Sequence, residues 1–126
     1  MQRKYVLLTA SVFGLLGVAL GAFGAHALKP MLTASGRLET FELAVRYQFY
    51  HALALLGCGL LMHHHESRWL RYASISWAAG VILFSGSLYL LCFTGLSGMA
   101  VITPVGGVMM IAGWAMLFMG VLNPQK

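Results

Sequence analysis

The sequence predicts an all-α integral membrane protein: four antiparallel transmembrane helices in one bundle, with both termini in the cytoplasm. Three observations carry this. Of the 126 residues, 60% are apolar and only 9% charged, where soluble domains run nearer about half and about a quarter. Mean hydropathy is +0.81, too high for a chain that must cover its surface with polar groups, and the same composition excludes disorder. The apolar residues fall in continuous runs of roughly the 20 residues that carry a helix across hydrocarbon. They do not fall in the shorter alternating segments of a barrel, and helices pair their own backbone groups within each segment.

The first span is about 5–28. It holds no formal charge and stops at Lys29-Pro30. Arg3-Lys4 and Ala25-His26-Ala27 resemble the ends of a secretory leader, but the apolar stretch between them is long for that role. The second span, about 44–62, is the least clean because it contains Arg46, Tyr47, Gln48, Tyr50 and His51; its polar end is expected at the interface. The segment before it should be an outer loop. There Ser35-Gly36 reads as a helix start signal, and Glu39, Glu42 and Arg46 share one face if the helix begins near Leu38. From Arg71 to Lys126 there is no charge, too long a stretch for one helix. Its only turn-like cluster, Thr94-Gly95-Leu96-Ser97-Gly98, divides it into spans of about 69–92 and 99–122.

The net charge of +5 belongs to short segments between the spans. Arg3, Lys4, Arg68, Arg71 and Lys126 lie on one side, and Lys29, Arg37 and Arg46 on the other. The bias puts both termini in the cytoplasm. No basic patch with interleaved aromatics exists, so no nucleic-acid partner is expected. Cys58 and Cys92 both sit in apolar runs and form no disulfide framework.

Helices in lipid associate by close approach of small residues. On the first span Ala10, Gly14, Gly17, Gly21 and Gly24 are spaced four, three, four and three apart, and on the fourth Gly106, Gly113 and Gly120 recur at seven. Ala73, Ser76, Gly80 and Ser87 form a similar stripe on the third. Packing within one bundle is the expected use, and a homo-oligomer interface an additional one.

At about 1.5 Å of rise per residue, each span brings polar or irregular residues to its outer half: His26 shallow, Tyr47 and His51 on the second, Ser85, Ser87 and Tyr89 on the third, Thr103 and Pro104 on the fourth. This layer reads either as hydrogen-bonding glue between helices or as a small binding cavity, with His51 its deepest titratable nitrogen. Catalysis fails on inventory: there is no Asp, and all three Glu lie in loops or at helix ends. No catalytic residue, metal site or cofactor is expected. His26, His51 and Cys92 lack helical ligand spacing, and His63-His64-His65 is an interfacial run. Tyr5, Trp69 and Tyr72 should mark the inner aromatic belt, and Phe41, Tyr47, Phe49, Tyr50, Tyr89 and Phe93 the outer one, while Trp77 and Trp114 pack more deeply.

Gly21-Ala-Phe-Gly-Ala-His26, Tyr47-Gln-Phe-Tyr-His51-Ala-Leu-Ala-Leu, Leu83-Phe-Ser-Gly-Ser-Leu-Tyr89 and Thr103-Pro-Val-Gly-Gly107, followed by Gly113-Trp114, resemble the small bacterial inner-membrane proteins of domain-of-unknown-function family 423. That family is itself similar to the eukaryotic transmembrane protein 256. The resemblance runs over nearly the whole chain in the same order. It implies a four-helix inner-membrane protein with a cytoplasmic C-terminus and no known activity, so no ligand residue carries over. The expected role is non-catalytic binding or interaction in the membrane, with lipid, a second copy or a partner membrane protein as the occupant. The alternative is a subunit of an oligomeric small-solute transporter or channel, which requires His51 to be reached by water.

Overall fold

Five helices make up the computed structural model, which describes residues 1–124: α1 (Arg3–Ala25), α2 (Lys29–Ala34), α3 (Leu38–His64), α4 (Arg68–Thr94) and α5 (Met99–Leu122). Lys126, counted above toward the cytoplasmic side, lies outside the described residues. By length and composition α1, α4 and α5 can each cross a membrane. Although α3 matches α4 at 27 residues, its N-terminal half is diluted by Glu39, Glu42, Arg46, Gln48 and His51.

Helix boundaries follow from local chemistry. Pro30 opens the first turn of α2, where its missing N–H costs nothing. Gly36, at φ +72°, closes α2: its N–H bonds to Thr33 and the Arg37 N–H to Leu32, the Schellman pattern. Ser35-Gly36 thus stops a short helix instead of starting a long one. The expected outer loop shrinks to a turn because Glu39 and Glu42 already belong to α3. Ser67 caps α4 by accepting the Trp69 N–H at 3.2 Å, and Gly95, at φ +70°, ends it.

The long helices stand in series: α1 packs on α3, α3 on α4, and α4 on α5. Contact pairs fix their directions. Arg3 meets His63 while Gly24 meets Phe41. Cys58 meets Leu70 while Ala44 meets Ser85. Leu70 meets Gly120 while Ser87 meets Thr103. Each neighbour therefore runs opposite to the last. Of the three candidate spans α4 is the most enclosed, with 50% of its most apolar stretch buried against 17% for α1 and 22% for α5. One core cluster, around Val6, Leu55, Leu70, Trp77 and Met110, joins all four long helices, and a second, around Leu32, Phe41 and Cys92, closes the α2 end.

The α4–α5 contact is the closest in the molecule. A Cβ built on Gly106 would fall on the Phe84 backbone nitrogen and lie 2.8 Å from the Gly80 carbonyl oxygen. One built on Gly113 would lie 2.5 Å from the Trp77 ring, and one on Gly120 3.1 Å from Leu70. All three glycines are buried; Gly106 lets the two backbones touch, and Gly113 and Gly120 leave room for the Trp77 and Leu70 side chains. On α1 the seam divides. Gly17 and Gly24 are buried against Phe49 and Phe41, Gly21 only grazes Val45 at 3.4 Å, and Gly14 has nothing within 4 Å of its missing Cβ. Ala10, Gly17 and Gly24, seven residues apart, form one buried row facing α3, while Gly14 and Gly21 lie on the flank of that row and stay partly open.

Candidate functional site

Gln48, His51 and the α4 residues Ser76, Trp77, Ser85, Ser87 and Tyr89 form a polar network between the helices. His51 is the central residue of α3, with 13 residues to either end. That is about 20 Å of helix from Leu38, deeper than a start near residue 44 implies. It is 4% exposed. Its Nδ1 is 2.8 Å from the Tyr47 carbonyl oxygen, and its Nε2 is 3.1 Å from Trp114 Nε1. An indole can only donate, so Nε2 accepts and Nδ1–H donates to Tyr47. The hydrogen bonds thus select one neutral tautomer and occupy both ring nitrogens. Trp77 and Trp114, with ring centroids 4.7 Å apart, stand edge-on to the imidazole at 6.2 and 6.0 Å.

Gln48 was not singled out by sequence reasoning. Its Nε2 donates to the Phe13 carbonyl of α1 at 2.9 Å, and its Oε1 accepts the Tyr89 hydroxyl of α4 at 2.6 Å. One side chain thereby ties three helices. The signal was available: among the described residues Gln48 is the only side-chain amide inside a helix. Ser85 donates to the Ala44 carbonyl at 2.7 Å. The Ser87 and Thr103 hydroxyls lie 2.6 Å apart, with the Phe84 and Met99 carbonyls as alternative acceptors. Ser76 and Trp77 donate to the Met109 and Met110 carbonyls, at 2.5 and 3.2 Å.

The structure brings His51, Ser85, Ser87, Tyr89 and Thr103 into this network but leaves other expected members outside it. His26 is exposed and bonds the Ala22 carbonyl of its own helix at 2.9 Å. Pro104 is exposed on α5. Tyr47, 38% exposed, contributes its carbonyl to His51 and packs tilted against Phe84, with ring centroids 5.1 Å apart. The contacts do not share a plane. They climb α4 from Ser76 to Tyr89, because α4 has a neighbour on two sides along its length. Phe41 is not a belt residue; it is 1% exposed and fills the notch left by Gly24.

The network is chemically closed. Among the described residues no buried side-chain nitrogen or oxygen lacks a partner, and no group of three or more His, Cys, Asp or Glu is gathered for a metal. Most of these bonds end on backbone carbonyls of the same or a neighbouring helix, so the buried polar side chains serve chiefly to join helices. The openings lie elsewhere. One is an apolar groove of about 580 Å³ between α1 and α3, floored by Gly14, Ala10 and Ala52 with Leu15, Val18 and Leu53 at its edges. Another is a polar cavity of about 430 Å³ where α1, α3 and α4 end together.

Comparison with known proteins gives the same class throughout. The family model described as Protein of unknown function (DUF423) matches residues 20–107. The Escherichia coli strain K12 UPF0382 inner membrane protein YgdD is 40% identical over 126 residues, all of this chain and 95% of the relative. A UPF0382 membrane protein of Haemophilus influenzae is 38% identical, covering 95% of this chain and 94% of the relative. One from Staphylococcus saprophyticus is 37% identical, covering 93% and 96%. No solved structure matches.

Proposed function

This chain belongs to the DUF423 family, whose relatives are named as membrane proteins, and on that premise we propose that it is a non-catalytic, multi-pass inner-membrane interaction protein. In this reading α1, α3, α4 and α5 all cross the bilayer as an antiparallel bundle, with both termini cytoplasmic. Its polar network locks the helices to one another, and its outward apolar faces do the binding. The observation that carries the reading is that every buried side-chain nitrogen and oxygen among the described residues already has a protein partner.

The groove between α1 and α3 is the binding face, and a second copy of the chain is its occupant. Small residues floor it, and Gly14 offers open space where another helix could approach. Gly14→Cys tests this, since Cys58 and Cys92 are both buried. Mild oxidation of native membranes should give a disulfide-linked dimer at this position and none at Ile82→Cys, on an exposed face of α4. Monomer alone at every oxidant concentration would hand the groove to lipid. The transporter reading needs water at His51; its burial and two protein hydrogen bonds favour the lock instead.

A further inference from the structure

Arg3 and His63 are sixty residues apart in sequence and meet at the shared end of α1 and α3, where the Arg3 guanidinium donates to His63 Nδ1. Ser67 begins α4 beside them. The cavity of about 430 Å³ framed there has Arg3 and Arg71 on its walls, joined by His63, His65 and a single carboxylate, Glu66. Its size falls within the roughly 300–1,000 Å³ of small-molecule sites. Two guanidinium groups line it against one carboxylate, so the cavity keeps a net positive charge. Arg3 is held in place by its histidine partner. Guanidinium forks match the oxygen spacing of a phosphate. The α1–α3 groove, by contrast, has almost no polar wall.

We propose that this cavity binds a phosphate ester, and that its source is the headgroup of an anionic phospholipid. Two observations point to lipid. The cavity lies where the apolar parts of α1, α3 and α4 end, the level of headgroups if those helices span. Met62 and the aliphatic stems of the two arginines also give it an apolar wall, on which the upper part of an acyl chain can rest. Basic pockets between helix ends on the cytoplasmic side are well suited to such headgroups.

The test uses the intact protein in vesicles of phosphatidylglycerol and phosphatidylcholine in equal parts, followed by gentle extraction and native mass spectrometry. Wild type should retain phosphatidylglycerol in preference to phosphatidylcholine. Arg3→Gln with Arg71→Gln should lower that retention about tenfold or more, at roughly a kcal/mol for each arginine lost near the surface. Lys4→Gln with Arg68→Gln removes the same charge outside the cavity and should change little. Should the first pair fail to fold, Glu66→Gln still decides, because removing the lone carboxylate should raise phosphatidylglycerol retention. A parallel arm adds inorganic phosphate to lipid-free protein in detergent. Stabilisation of wild type but not of the Arg3/Arg71 variant, without lipid selectivity, would keep the phosphate site and make free phosphate its ligand. Equal phosphatidylglycerol retention in wild type, the Arg3/Arg71 variant and Glu66→Gln, with no effect of phosphate, would overturn the proposal.

Discussion

Gly106→Leu is expected to prevent α4 and α5 from closing and to cost on the order of 3 kcal/mol or more, the upper range for overpacking a tight interior. The obstruction is backbone, not a side chain that can turn away: the added Cβ meets the Phe84 amide and the Gly80 carbonyl. Pushing α5 outward would also break the hydrogen bonds of Ser76 and Trp77 to the Met109 and Met110 carbonyls and part Ser87 from Thr103. The readout is the yield of folded protein in membranes and its melting temperature in mild detergent. Gly14→Leu is the matched control. It adds the same side chain to a glycine with open space around it and should shift stability by no more than about 0.5 kcal/mol, though it should interfere with self-association. Equal losses from the two substitutions would mean that the α4–α5 seam is not where the backbones meet.

His51→Ala should cost about 2 kcal/mol, combining lost packing with the orphaned Trp114 N–H. His64→Ala, on an exposed residue at the end of α3, should be nearly silent. The lock reading makes a narrower claim as well. In a double-mutant cycle of His51→Ala with Trp114→Phe, the coupling should be about 1 kcal/mol, inside the range measured for hydrogen bonds between membrane helices. An additive cycle would show that the two rings are neighbours without being partners.

Much of the helical layout is legible in the sequence because lipid imposes a simple demand. A stretch free of charge and about 20 residues long has few other places to go, and α4 and α5 are separated at the one cluster of turn residues, where Gly95 takes a positive φ. The α2–α3 region is harder. Charge density suggests an outer loop, yet Glu39, Glu42 and Arg46 are tolerated on the first two and a half turns of α3, and the break falls at Gly36 instead. Seven-residue spacing identifies Gly106, Gly113 and Gly120 as a packing face. On α1 the same seven-residue spacing marks the buried row of Ala10, Gly17 and Gly24, while Gly14, off that row, is open.

The polar network is legible only in part, for the same kind of reason. Residue type shows that Ser76, Trp77 and Ser85 need partners; it does not show that these are the Met109, Met110 and Ala44 carbonyls of neighbouring helices, which no side-chain pattern reveals. His26 looks equivalent to His51 by type, but its own helix satisfies it at the surface. Gln48 carries the clearest signal of all, a lone amide in an apolar helix, and its three-helix bridge is what that signal stands for.

In the proposed topology α3 crosses the bilayer with its buried polar side chains bonded to its neighbours, making four crossings. Labelling single cysteines at Ser35, His65 and Ser97 in intact cells, with a membrane-impermeant thiol reagent and Cys58 and Cys92 replaced by alanine, tests it most directly. Ser35→Cys and Ser97→Cys should react from outside, and His65→Cys only after the membrane is opened. Finding Ser35→Cys and His65→Cys on the same side would contradict it, because α3 would then lie along the membrane rather than through it.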